Sequence, residues 1–197
     1  VWNNDRIAPQ SGFPPHPHRD MEIVTYVIKG AITHKDHLGN EGRTEAGQIQ
    51  VMSAGNGIQH AEYNMEQAET ELFQIWIIPT THGVPPRWET AQFPADARDG
   101  SPVPLASARG DAGAIPLYAD GSLMAGTVKA GQSIRQKLNG KPTYLVPAKG
   151  KIEVRGSAGE VVTANARDGV AVVDQDEIEI VALEDAEIVL VETDRLN

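Results

Sequence analysis

The sequence predicts an all-β chain arranged as two small antiparallel β-barrels in tandem. Short runs rich in Val, Ile and Thr recur along it, of strand rather than helix length. Gly- and Pro-containing turns separate these runs, a rhythm typical of sandwiches and barrels. No long stretch carries the 3.6-residue apolar period of an amphipathic helix.

In chain order, strands are expected over 23–28, 31–35, 48–52 and 72–78, then over 144–147, 152–154, 169–173, 178–183 and 186–192. Lys29-Gly30 suits a tight turn, because glycine accepts positive φ without a steric penalty. Near the C-terminus Ile178, Ile180 and Ala182 alternate with Glu177 and Glu179, the pattern of a half-buried strand. Segment 79–104 is dense in proline, which cannot donate to a strand ladder, and reads as the linker. The expected division is 1–95 for a metal-binding barrel and 100–197 for a second barrel without metal.

Composition narrows the chemistry. There are 27 acidic against 17 basic residues, a formal net charge of −10, which argues against direct nucleic-acid binding and against anionic membranes. No apolar run is long enough for a transmembrane helix, so no membrane partner is expected and the cytoplasm is the default compartment. The chain opens on Val1 rather than Met, so a missing native start is expected. Cysteine is absent, which removes disulfides, thiolate zinc sites, iron–sulfur clusters and cysteine nucleophiles.

All six histidines, His16, His18, His34, His37, His60 and His82, lie in the first half. His16-Pro17-His18 is the strongest local feature. On an extended chain, residues two apart face the same side, and Pro17 favours the extended form. Two imidazoles placed so can converge on one cation. His60-Ala61-Glu62 repeats the arrangement with an imidazole and a carboxylate. Glu22 competes with Glu62 as the carboxylate ligand, since it shares strand parity with His16 and His18, and parity alone leaves both open. His34, His37 and His82 are expected at the surface. Three neutral imidazoles and a carboxylate suit one divalent transition metal, and an octahedral ion so held keeps two open positions. No phosphate-cradling loop or G-x-S-x-G nucleophile elbow competes.

At these residues the chain resembles the cupin superfamily, and within it the pirin family. The resemblance rests on the segment from Gly12 through His16-Pro17-His18-Arg19. It rests also on Met52-Ser53-Ala54-Gly55-Asn56-Gly57-Ile58-Gln59-His60-Ala61-Glu62, and on the opening Val1-Trp2-Asn3-Asn4-Asp5-Arg6-Ile7. It departs from the general cupin pattern in the spacing of Gly12 from His16 and in Ser53 standing near the usual proline. The specific match covers roughly residues 1–90; no diagnostic motif stands in the second half.

The resemblance implies a bicupin of jelly-roll type with one metal in the first barrel, foremost Fe(II), with Mn, Co, Ni, Cu or Zn as alternatives. It implies His16, His18, His60 and Glu62 as ligands, and so favours Glu62 over Glu22. It further implies an oxidoreductase similar to quercetin 2,3-dioxygenases, which open a flavonol ring with O2 and release carbon monoxide. Glu62 would then act as the catalytic base, and Phe13, Met52, Ile58 and Phe73 are candidates to line a site for flat rings, although core packing is the expected task for most of them. Eukaryotic members resemble metal-dependent transcription cofactors, so the alternative is a non-enzymatic regulator that binds a protein partner. A structural-metal or sugar-binding cupin is the third reading.

Overall fold

The computed structural model describes residues 1–93, 98–138 and 140–193. Among these it contains nineteen strands and no α-helix, so no helix is long and apolar enough to cross a membrane. The chain divides into two compact units, Val1–Phe93 with Leu117–Ala119, and Pro94–Pro116 with Asp120–Asn197. The boundary expected at 95 lies outside the described residues.

The first unit is formed by β1 (Trp2–Ile7), β2 (Ser11–His18), β3 (Glu22–Lys29), β4 (Ala31–Asp36), β5 (Glu41–Glu45), β6 (Gln48–Ser53), β7 (Ile58–Asn64), β8 (Thr70–Ile77) and β9 (Arg87–Gln92). These make a five-stranded sheet, β1-β8-β3-β6-β9, and a four-stranded sheet, β2-β7-β4-β5, antiparallel throughout. β3 is central in its sheet and buried on both faces over Glu22–Ile28, which explains its unbroken Ile-Val-Thr-Tyr-Val-Ile run. Ile7, Val27, Ile32 and Leu72 form one apolar cluster; Ile23, Met52, Ala54 and Ile58 form another.

β2 is a strand despite Pro14, Pro15 and Pro17. Its pairing with β7 slips between Phe13 and His16, which absorbs the missing amide donors of Pro14 and Pro15, while Pro17 stays in register opposite Gln59. Gly12 lets the two strands close up, since a Cβ there would collide with the Glu62 carbonyl oxygen and with Tyr63 Cα. The 79–104 segment is not all linker. Its proline-free stretch forms β9, the edge strand beside β6, because Trp88 and its neighbours continue the β6 ladder from Ser53 to Gln48.

The second unit comprises β10 (Val103–Ser107), β11 (Ile115–Pro116), β12 (Gly121–Val128), β13 (Ser133–Lys137), β14 (Thr143–Lys149), β15 (Lys151–Arg155), β16 (Val161–Asn165), β17 (Val170–Val172), β18 (Glu177–Ala182) and β19 (Ala186–Thr193). They form a six-stranded sheet, β11-β10-β12-β19-β14-β17, and a four-stranded sheet, β13-β18-β15-β16. Leu138, Leu145, Ile152, Ile180, Ile188 and Leu190 centre its core. β18 shows the alternation read from the sequence, with Ile178, Ile180 and Ala182 buried and Glu177 and Glu179 turned outward.

Candidate metal centre

β2 and β7 pair so that His16 lies opposite His60, and β4 flanks β7 with His34 opposite Glu62 and Asp36 opposite His60. The four-stranded sheet therefore carries the histidines on three adjacent strands. His16, His18 and His60 bring their ligand atoms within 4.8 Å of one another. Ring centroids lie 4.8 Å apart for His16 and His18, 4.5 Å for His16 and His60, and 5.1 Å for His18 and His60. His16 Nδ1 is hydrogen-bonded to the Pro14 carbonyl at 2.8 Å, which fixes the ring and leaves its Nε2 free.

Burial, together with the neighbouring His16, His34 and His18, pushes His60 down to about 3, so it stands neutral. His18 is lowered in the same direction by burial and by His16. His60 Nε2 is buried and has no hydrogen-bond partner. A neutral imidazole with an unpaired buried nitrogen, beside two more imidazoles, fits a divalent cation, which takes lone pairs and no protons.

Glu62 does not stand with His16 and His18 in that group. It forms a second group with His34 and His60, again within 4.8 Å, so His60 belongs to both. Gln50 Nε2 donates to Glu62 Oε1 at 2.5 Å and Gln74 Nε2 donates to Oε2 at 2.7 Å. Each amide is held in turn by an indole: Trp88 Nε1–H donates to Gln50 Oε1 and Trp76 Nε1–H to Gln74 Oε1, both at 3.2 Å. Burial raises Glu62 to about 7, against the pull of the Gln74 and Gln50 donors. A carboxylate with two donors retains lone pairs for a cation.

Glu22 belongs to neither group. It lies on β3, where its Oε2 accepts from Ser53 Oγ at 2.9 Å and from the Tyr118 amide at 3.2 Å.

His37 and His82 are exposed, as expected of them; His34 is not, and this corrects the sequence reading. On β4 the even positions Ile32, His34 and Asp36 all face inward, so His34 is fully buried. The parity with Ile32 was the available signal. The sequence reading also passed over Gln50, Gln74, Trp76 and Trp88; a glutamine inside an Ile-Gln-Val-Met run was the hint for the first. Met52, Ile58 and Phe73 are core residues, and Phe13 is exposed. Beside the imidazoles an open depression of about 510 Å³ is bordered by His18, Arg19, His37, Ile58 and Gln59, within the usual range for small-ligand sites.

Two all-β units, the first carrying converging histidines on neighbouring strands, define a tandem cupin. Family models agree at both ends: Pirin matches residues 1–77, and the quercetinase C-terminal cupin domain matches residues 104–193. A "Pirin-like protein" of Caulobacter vibrioides is 54% identical over 194 residues, covering 98% of this chain and 82% of that one. "Quercetin 2,3-dioxygenase" of Escherichia coli K12 is 38% identical over 192 residues, covering 96% and 80%. The crystal structure of the bacterial pirin YhhW of Escherichia coli in complex with nickel(II) superposes with a TM-score of 0.89 at 32% identity, covering 100% of this chain and 82% of that one. The chain belongs to the pirin family of cupins.

Proposed function

We propose that this protein is a metal-dependent oxidoreductase that opens the central ring of a flavonol such as quercetin with dioxygen, releasing carbon monoxide. The observation that carries the reading is the His16–His18–His60 cluster with a buried, unpartnered Nε2 on His60, beside a buried carboxylate. The quercetin 2,3-dioxygenase relative supports the substrate class. The three imidazoles, with Glu62 as the fourth donor, would hold one divalent transition metal, foremost Fe(II). When bound, the metal supplies Lewis acidity toward the adjacent hydroxyl and keto oxygens of the substrate.

The protein's own groups do the rest. Glu62, buried beside the imidazoles, is the general base of this scheme. It takes the flavonol hydroxyl proton, and the Gln50 and Gln74 amides keep its carboxylate aimed while it does so. The open depression beside His18 is where the flat polycyclic ligand would sit.

The test is oxygen uptake and carbon monoxide release on adding quercetin to protein loaded separately with Fe, Mn, Co, Ni or Cu. Equimolar consumption of quercetin and oxygen with one equivalent of carbon monoxide is expected for at least one metal. Absence of turnover with all five rejects the reading.

A further inference from the structure

His34 is fully buried, yet the proposed metal chemistry gives it no task. Its Nε2 lies 3.0 Å from Asp36 Oδ2, and its Nδ1 lies on the other side of the ring, where His60 Nδ1 is 3.4 Å away. Trp88 stacks on the ring at 4.9 Å and 9°, which holds it in plane. Asp36 is itself fixed, with Oδ1 accepting from the Leu38 and Asn40 amides at 2.9 and 3.0 Å and Oδ2 accepting from Asn40 Nδ2 at 2.8 Å.

The proton positions follow in sequence. A carboxylate so fully supplied with donors is ionised and only accepts, so the proton on His34 is at Nε2. Neutral His34 then presents a bare lone pair at Nδ1. The hydrogen bond between the two rings needs a donor, so His60 carries its proton at Nδ1. His60 Nε2 is left as a lone pair, and that nitrogen is the buried atom with no partner. The opposite arrangement would set two bare Nδ1 lone pairs against each other across 3.4 Å and would aim an N–H, not a lone pair, at a cation held by His16 and His18.

We infer that His34, aligned by Asp36 and Trp88, is a positioning residue that fixes the tautomer of His60 and so presents the His60 Nε2 lone pair to the group it forms with His16 and His18. The inference rests on the metal-centre reading for its purpose but not for its measurement, since the tautomer exists in the metal-free protein.

Two substitutions separate this role from packing. His34→Phe keeps a flat ring against Trp88 and removes the acceptor. His34→Asn loses the ring but places Oδ1 where Nδ1 stood, and so keeps the acceptor. Imidazole 15N shifts are recorded on the metal-free proteins, and nickel(II) affinity is measured by competition with a chromogenic chelator. Wild type and His34→Asn are expected to show His60 protonated at Nδ1. His34→Phe is expected to move proton density to Nε2 and to bind nickel roughly 10- to 100-fold more weakly, the usual size of such an indirect effect. His60 protonated at Nε2 in the wild type overturns the inference. So do equal affinity losses in both variants with the tautomer unchanged, which mark a packing role alone. Should His34→Phe fail to fold, the wild-type and His34→Asn shifts still decide. If the wild type binds no nickel, the metal-centre reading is weakened for that ion, while the nitrogen shifts answer the tautomer question separately.

Discussion

The side-chain amide of Gln74 donates to Glu62 Oε2 at 2.7 Å, where the carboxylate is almost wholly out of contact with solvent. The donor is not free to turn away, because the Trp76 indole occupies the oxygen side of the same amide. Gln50 and Trp88 repeat the arrangement on the other carboxylate oxygen. Two Trp–Gln pairs thus converge on one acid, each supplying an N–H that serves the charged form. Replacing Gln74 by Met keeps most of the volume and deletes the donor. Above pH 7, where Glu62 is ionised, loss of a hydrogen bond to this buried charge is expected to cost about 1.5–3 kcal/mol. Urea unfolding of the metal-free variant against wild type checks it; an unchanged midpoint and slope would mean that Glu62 does not rely on this amide.

Glu22 provides the pH test. Burial raises its carboxyl above the ordinary value, and the Tyr118 amide, Ser53 and Arg87 offset only part of that. A folded-state pKa above the unfolded one means that folding favours the protonated form. Its stabilising contribution is complete below the unfolded value, near 4.5, and is lost as the pH rises through the folded value. Glu22→Gln keeps an oxygen for both hydrogen bonds and does not titrate. Its melting temperature is expected to gain on wild type as the pH is raised from 4 to 7, with the gap smallest at the acid end. Metal stoichiometry should be unchanged, since Glu22 belongs to neither donor group. A parallel pair of melting curves across that range, or loss of metal, contradicts the assignment.

The contrast between Glu22 and Glu62 shows what a sequence carries and what it does not. His16 and His18 are two apart on a strand that Pro17 keeps extended, so their common face was legible without a fold. The same holds for His60 and Glu62 on β7. Strand parity could not choose between the two acids, because the choice depends on which sheet each strand enters. β3 joins the five-stranded sheet and β7 the four-stranded one. For a related reason His34 reads as a surface residue: charged Lys35-Asp36 follow it ahead of a turn, while its burial comes from pairing with β7 and from Trp88 on β9. β9 itself was hidden among prolines 79, 85 and 86, which mark a turn leading into the strand rather than its absence.

Gly42 shows how tightly that last contact is set. A Cβ at this position would run into the Trp88 ring at Cη2, Cζ3 and Cζ2. Gly42→Ala is therefore expected to displace the indole from His34 and to destabilise the protein by about 1–3 kcal/mol, the ordinary cost of overpacking. Thermal melting gives the magnitude, and a shift in tryptophan emission reports the indole's new surroundings. If the variant melts with the wild type and its emission is unaltered, the ring has room that the structure does not show.

Metal removal is the broadest test. A cation that binds only the folded chain stabilises it by RT ln(1 + [L]/Kd), about 2.7 kcal/mol at a hundredfold excess over Kd. Chelation of the loaded protein is expected to lower the melting temperature accordingly, and re-addition of the metal to restore it. His16→Ala removes one of the three clustered imidazoles and should abolish that difference. His37→Ala and His82→Ala alter exposed histidines outside both donor groups and should leave it intact. The same loss in His37→Ala as in His16→Ala would move the cation out of the cluster and onto the rim of the open depression. That would remove the role proposed for His60 Nε2, because an ion at the rim leaves the buried nitrogen without the partner that explains it.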